Sequence, residues 1–221
     1  MTIERARYFT GQLLYEADLA QEQLYFREKL RRHNRMLHGW GIVSGLAVRP
    51  GPADSELTVE PGYALDRYGD EIVVADAVIV DLLSEDHDGN AVPPCPQPDD
   101  HERKRVRKRR SPERPLYLAI RYAECAGRPV PVGESVEYSR TRESFAVKLL
   151  TKLPASYRRL RPHGQQDSDS LAEPWVILAE VALDLHLKVS NVDRHTHERR
   201  VAAPPDGANQ PASQVGRPQQ A

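Results

Sequence analysis

The sequence predicts a mainly β domain of the α+β class, in which one N-terminal amphipathic helix joins an antiparallel β-sandwich or barrel-like body. Two observations predict this class. A helical repeat of apolar residues over 16–37 ends at Gly39, and short β-rich runs separated by Gly, Pro and Asp turns follow it. The chain has 221 residues, of which 39% are apolar, so it is long enough to bury one core.

The helix predicted over 16–37 has its apolar side chains on one stripe and its basic side chains mostly off that stripe. Such a pattern is typical of a helix that packs on another surface. Gly39 is predicted to follow the helix at a positive φ, which glycine adopts without steric cost. The stripe consists of Leu19, Gln23, Phe26, Leu30, His33 and Leu37.

The joint between helix and body is the best-specified part of the chain. Gly41 is predicted to let the chain reverse beside the bulky Trp40. Trp40 either covers the core where the helix meets the sheet or anchors an interface, where large aromatic side chains are enriched. We predict an interface at the stripe and the polar end of the helix, formed by Leu19, Phe26, Leu30, Arg32, His33, Asn34, Arg35 and Trp40.

After the joint the pattern becomes β. Short β-rich runs predict strands, and the segment DRYGD over 66–70 predicts a turn between two of them. The pattern does not decide between a sandwich and a barrel. The predicted strands cover 42–48, 56–60, 71–75, 78–83, 116–124, 144–150 and 175–185.

Three stretches contain few residues that could enter a core. The first, at about 84–114, holds five prolines and a basic run, and it is predicted to be a disordered insertion. The second is a polar loop over 158–172, and the third is a tail over 202–221. The predicted organisation is therefore a docking segment over 1–39, a β-rich domain over 40–201 and a disordered tail.

Two segments resemble a family of poorly characterised bacterial proteins found among phage-tail-like contractile injection systems. They are RYFTGQLLYEADLAQEQLYFREKLRRHNRMLHGWGIVSGLAV and LTVEPGYALDRYGDEIVV; the later LYLAIRYAE, RPVPV and EYSRTRESFAVKLL are similar to the rest of that pattern. The likeness covers about 8–83 and 116–150. It implies a non-enzymatic structural component of a baseplate-like or tail-appendage-like assembly, and it assigns no catalytic residue.

Composition limits the possible partners. The net charge of -1 does not favour binding to nucleic acid or anionic membranes over the whole surface. No run approaches the roughly 20 apolar residues of a membrane span, and residues 1–7 lead into no apolar signal segment. A cytoplasmic protein, free or incorporated into a particle, is therefore expected. Because no export signal is seen, Cys95 and Cys125 are predicted to be free thiols.

The candidate catalytic and metal-binding residues have simpler structural interpretations. His33 and His38 are five apart, so on an α-helix they would point about 140° apart and could not chelate one metal ion. His195 and His197 are at strand spacing but have no third ligand nearby. Ser44 lacks the preceding glycine of a nucleophile elbow. The sequence therefore predicts no catalytic residue, no metal site and no cofactor.

Asp66, Asp70 and Glu71 could form an acid pair of a glycosidase, but Asp and Gly are also the residues that a tight turn needs. A carbohydrate-binding or carbohydrate-active β domain using Asp66, Asp70 and surface tyrosines stays open as an alternative.

A basic run offers a further alternative. In this run, over 103–110, seven of the eight positions are Lys or Arg. Such runs can neutralise the phosphates of a nucleic acid, although here no aromatic residue is interleaved to stack on bases. A nucleic-acid-binding accessory protein would use Arg103, Lys104, Arg105, Arg107, Lys108, Arg109 and Arg110. The favoured prediction remains an assembly protein whose partners are other protein subunits, a homo-oligomer being one form.

Overall fold

The computed structural model describes residues 4–95, 106–108, 110, 115–154, 157 and 174–193. Helix α1 spans Glu16–His33 and continues as a π-helical turn, Asn34–His38. The strands that follow are β1 (Gly41–Gly45), β2 (Val48–Pro50), β3 (Glu56–Val59), β4 (Gly62–Leu65), β5 (Glu71–Val74), β6 (Val78–Asp81), β7 (Ser84–Glu85), β8 (Asn90–Val92), β9 (Val106–Arg107), β10 (Leu116–Val132), β11 (Ser135–Leu150), β12 (Val176–Leu183) and β13 (Val189–Asp193).

The strands form antiparallel sheets. The largest has the order β13-β12-β10-β11-β8, two three-stranded sheets have the orders β1-β4-β5 and β2-β3-β6, and β7 pairs with β9. One of these sheets curls into a half-barrel. The predicted class, a mainly β protein with one N-terminal helix and antiparallel sheets, is confirmed.

The main core lies where the five-stranded sheet meets the two three-stranded sheets. Along β10 the alternate residues Leu116, Leu118 and Ile120 are all buried in it, as the period of two of a strand requires. From the smaller sheets, Leu57 and Ile72 enter the same core. Burial of these apolar side chains holds the sheets together, at roughly 1.5–3 kcal/mol for each fully buried large side chain.

A second, smaller cluster includes Ala119, which alternates with the core-facing residues of β10. Trp175 and Tyr157 are buried in this cluster, and the Tyr157 hydroxyl accepts a hydrogen bond from the backbone N–H of Ile177 at 2.7 Å. Trp40 packs against the same cluster and meets the Tyr157 ring edge-on, with ring centroids 4.9 Å apart.

Strands β10 and β11 extend as a two-stranded ribbon past the point where their side chains are buried. Register continues to the pair Val132 and Ser135, while nearly every side chain beyond Cys125 is exposed. The eight β10 residues from Cys125 to Val132 span about 25 Å. The sequence-based prediction ended the first of these strands at Glu124 and began the second at Ser144, so it missed the ribbon.

The structure differs from the sequence-based prediction within the range 84–114. β7, β8 and β9 all lie in this range, which was predicted to be a disordered insertion. Pairing of β7 with β9 and of β8 with β11 gives these short strands backbone hydrogen-bond partners that the sequence did not indicate. Residues 96–105, 109 and 111–114 lie outside the described residues.

The prediction of two free thiols is wrong. Cys95 and Cys125 form a disulfide that joins residues 30 apart in sequence. Cys95 follows β8, and Cys125 lies in β10 where the ribbon leaves the sheet, so the bond links the base of the ribbon to the body. Sequence spacing did not indicate the pair because the two residues meet only through the fold.

Within the described part of the chain, no helix combines the length and the apolarity needed to cross a membrane.

Candidate functional site

The N-terminal helix and the segment before it form one unit. At the start of α1, the backbone N–H of Tyr15 donates to the Asp18 carboxylate at 2.9 Å, which satisfies one of the free donors near the helix end. The preceding segment returns along the helix. The Gln21 amide donates to the carbonyl of Glu4 at 3.2 Å, and the Tyr8 hydroxyl donates to Glu22 at 2.5 Å.

Ion pairs connect this unit to the β body. The guanidinium of Arg31 binds the Asp70 carboxylate through two parallel hydrogen bonds, of 2.6 and 2.9 Å. This bidentate geometry is the strongest form of such a pair. One turn earlier, Arg27 donates to Glu124 of β10 at 2.9 Å, in a more exposed pair. Arg27 and Arg31 are four apart, so both lie on the side of the helix that faces the body.

The end of the helix also hydrogen-bonds to the backbone of the turn that contains Asp70. The buried Asn34 amide donates to the Gly69 carbonyl at 2.9 Å, and the Arg35 guanidinium donates to the Tyr68 carbonyl at 2.5 Å. These two residues were predicted to contact a partner. In the structure both side chains fasten the helix to its own body, and their contact with a partner stays a prediction.

Gly69 allows the helix and the turn to come this close. Its φ is +87°, and a Cβ atom placed there would lie 2.2 Å from the backbone carbonyl oxygen of Arg31. Only glycine fits both the left-handed backbone and the available space.

Asp66 organises the same turn from inside. The carboxylate of Asp66 accepts hydrogen bonds from the backbone N–H groups of Tyr68 and Asp70, at 2.8 and 2.9 Å. Burial raises its pKa to about 6, and the nearby charge of Asp70 adds to that increase. Because Asp66 is buried and Asp70 is paired with Arg31, both carboxylates that could have served a carbohydrate-active site have structural partners.

The apolar stripe of α1 is exposed. No residue of α1 is buried, and Leu19, Phe26 and Leu30 keep 49%, 58% and 48% of their surface accessible. Gln23 lies between them, so the spacing along the stripe is four, three and four residues. In helices that pack side by side, residues at this spacing form the line of contact, or seam, between the two helices. Other exposed apolar side chains of the same unit are Tyr8, Phe9, Leu13, Leu14, Tyr15, Leu24, Met36 and Leu37.

The predicted interface residues therefore fall into two groups, those that are exposed on the helix and those that contact the β body. Leu19, Phe26 and Leu30 form one exposed surface with one another, and Arg32 is exposed beyond it. Trp40 is half-buried against the second cluster, with the Arg67 guanidinium 5.9 Å from its ring centroid. Its contacts are those of a side chain that covers the core.

The last turn of the helix differs from the α-helix that the sequence predicted. Asn34–His38 is a π-helical turn, closed by a hydrogen bond from the Gly39 N–H to the Asn34 carbonyl at 3.0 Å. Gly39 has φ 71°, which confirms the predicted positive φ. In a π-turn, residues five apart lie over one another. The prediction that His33 and His38 point apart is wrong, since their Nε2 atoms are 3.3 Å apart.

The chain was compared with known proteins. No family model matches it, and no curated protein matches it. Among solved structures it is similar to a chain of the baseplate complex from the type VI secretion system, with a TM-score of 0.38 and 12% identity over 87% of this chain and 58% of that one. It is also similar to TssK in a crystal structure, with a TM-score of 0.41 and 10% identity over 87% of this chain and 41% of that one. The chain spans less than two thirds of either structure.

The basic run is partly built into the body. The buried Glu85 carboxylate pairs with the Arg110 guanidinium, which is only 8% exposed, and with the Lys108 ammonium at 3.4 Å. Two cations of the nucleic-acid alternative are thus paired with a carboxylate, while Arg107 is exposed in β9. Arg103, Lys104, Arg105 and Arg109 of that alternative lie outside the described residues, as do His195 and His197.

Sequence reasoning missed a second exposed apolar surface, at the tip of the ribbon. Its apolar side chains are Val130, Val132, Val136 and Tyr138. A signal was available, because the β-rich runs RPVPV and SVEYS flank a short turn at Gly133. The prolines at 129 and 131 hid it, since proline within a run argues against an ordinary strand.

Proposed function

We propose that this protein is a non-enzymatic structural subunit of a phage-tail-like or baseplate-like assembly, and that it docks on a neighbouring subunit through the stripe of helix α1. The observation that supports this most directly is the exposure of Leu19, Phe26 and Leu30 on a helix none of whose residues is buried. A helix of 18 residues is marginally stable alone in water, and most helical stability in proteins comes from packing of the apolar face.

The way the helix is attached supports the same role. Its contacts with the body are polar and are concentrated at Arg27, Arg31, Asn34 and Arg35. They fix the direction of the helix and leave the stripe uncovered. Contiguous exposed apolar surface bordered by charged residues is typical of an interaction site.

The partner proposed for the stripe is a helix of a second copy of this chain. Spacings of four, three and four place Leu19, Gln23, Phe26 and Leu30 on a seam that a second helix can fill with the same residues. A twofold pairing is self-complementary and is the commonest form of oligomer. The polar Gln23 within the seam would favour one register at some cost in stability.

A seam variant tests the docking proposal. Replacing Leu19, Phe26 and Leu30 together by Gln should convert an oligomer of the full chain to a monomer in sedimentation equilibrium, with unchanged β signal in circular dichroism. Leu24→Gln is the matched control, because Leu24 is 41% exposed yet lies on the side of the helix shared by Arg27 and Arg31. A parent chain that is monomeric at high micromolar concentration would contradict pairing between copies.

Gene neighbourhood tests the assembly type. Genes for sheath, tube and baseplate proteins beside this gene are the expected result, based on the resemblance over about 8–83 and 116–150. Their consistent absence from the neighbourhood would argue against a tail-like particle, without bearing on the pairing of the helices.

A further inference from the structure

The π-helical turn places two imidazoles side by side at the end of the helix. The Nε2 atoms of His33 and His38 are 3.3 Å apart, and their ring centroids are 5.1 Å apart with a 59° tilt. Both side chains are exposed. On an α-helix this spacing would direct the rings apart, so the π-turn is the feature that brings the two nitrogens together.

We propose that His33 and His38 bind one Zn²⁺ ion through both Nε2 atoms. Zinc–nitrogen bonds of about 2.0–2.1 Å at a tetrahedral angle place two ligating nitrogens about 3.3–3.4 Å apart. The observed separation of 3.3 Å matches this value. An octahedral ion with similar bond lengths would need about 3.0 Å, so the geometry favours a tetrahedral ion.

Binding of the ion sets the tautomer of both rings. In the bound form each Nε2 offers its lone pair to the ion, so each neutral ring has its proton on Nδ1. Within the described residues, no group of three or more His, Cys, Asp or Glu is arranged to hold a metal ion. Among the described residues the two imidazoles are therefore the ligands, and water would fill the other positions of an open site.

Binding would have a structural consequence that goes beyond docking. An ion held by both rings links the last residue of α1 to the last residue of the π-turn, directly before Gly39 and the first strand. Because the folded chain holds the two rings together and the unfolded chain does not, the ion stabilises the folded end of the helix.

Calorimetric titration with zinc chloride tests the site in the full chain. The parent for this experiment has His195→Gln and His197→Gln, since those two histidines could bind zinc independently of the π-turn. It should take up one ion per chain. His33→Gln and His38→Gln should each lower the affinity more than about tenfold, because even changes outside the ligand set commonly cost 10–100-fold. His87→Gln, at another exposed histidine, is the matched control and should leave the affinity unchanged.

Cobalt provides a second readout. Co²⁺ bound in tetrahedral geometry should give an intense visible absorption in the parent that is absent from both π-turn variants. Three results would overturn the proposal: no zinc uptake by the parent, zinc affinity in His33→Gln or His38→Gln equal to that of the parent, or half an ion per chain in the parent. Circular dichroism of each variant establishes that the helix is retained, so a lost signal reports the ligand and not the fold.

Discussion

At the scale of single residues, the turn 66–70 determines where the helix lies. Asp66 shapes the turn through backbone N–H groups, Asp70 binds Arg31, and Gly69 lets the helix backbone approach. Each of these residues has a different physical task. Two predictions follow from this turn.

Gly69→Ala should destabilise the protein more than a positive φ alone explains. The left-handed backbone costs an alanine about 1–2 kcal/mol, and the added Cβ would also meet the Arg31 carbonyl oxygen at 2.2 Å. Urea unfolding measures the loss. Gly133→Ala is the matched control, because Gly133 has φ +60° with nothing within 4 Å of the added Cβ. Equal losses for the two variants would mean that the helix does not approach the turn this closely.

Asp66→Asn should gain stability relative to the parent as the pH rises. The folded pKa of Asp66, about 6, is above its ordinary value of 3.8, so its favourable contribution is complete below pH 4 and is lost as the pH rises through about 6. The shift of about two pKa units corresponds to roughly 3 kcal/mol. Urea unfolding of parent and variant at pH 4, 5, 6 and 7.5 measures the difference, and Asp76→Asn, at an exposed carboxylate, should show no trend. A flat difference for Asp66→Asn would argue against burial of its charge.

At the scale of secondary-structure elements, the helix and the β body contribute differently to stability. The body has a buried core of its own, whereas α1 contributes no buried residue to it. The ribbon of β10 and β11 differs from both. An isolated pair of strands with no covered face is only marginally stable, so the ribbon depends for its stability on the sheet from which it extends.

Removal of residues 1–38 should leave a folded β body. The deletion loses the Arg31–Asp70 pair and the Asn34–Gly69 hydrogen bond, but it removes no residue of the main core. Near-ultraviolet circular dichroism should retain a folded aromatic signal from Trp40 and Trp175, both of which pack on the second cluster. A truncated chain without this signal, or without cooperative unfolding in urea, would show that the helix belongs to the core.

At the scale of the whole molecule, contacts between distant parts of the chain hold the insertion and the ribbon in place. The Cys95–Cys125 disulfide and the pairing of β8 with β11 tie the range 84–114 to the body, while the pairing of β7 with β9 and the ion pair of Glu85 with Arg110 hold the range together internally. A deletion of residues 93–112 would remove the disulfide, the pairing of β7 with β9 and the ion pair of Glu85 with Arg110. Disulfides are rare in the reducing cytosol, so the cytoplasmic location remains a prediction.

Reduction of the disulfide should destabilise the whole protein. A bond across 30 residues restricts the unfolded chain by about 3–4 kcal/mol. Urea unfolding with and without reductant measures this loss as a lower midpoint. The variant with both Cys95→Ser and Cys125→Ser should unfold like the reduced parent and should not respond to reductant. A parent whose midpoint is the same under both conditions would indicate that the bond is not formed in solution.

The sequence by itself determined the helix from Glu16, the positive φ of Gly39, the turn at 66–70 and most strands of the large sheet. These features follow from local spacing, because periodicity fixes which side chains share a face and glycine fixes where the backbone can turn. Only the tertiary structure decided which faces are covered. The exposure of Leu19, the burial of Asp66 and the partner of Cys95 depend on residues far away in sequence; Arg31 and Asp70, for example, are 39 residues apart. The π-turn depends on both local sequence and tertiary structure. Its residues are consecutive in sequence, but a turn of the β body holds this end of the helix. The π geometry places His33 beside His38.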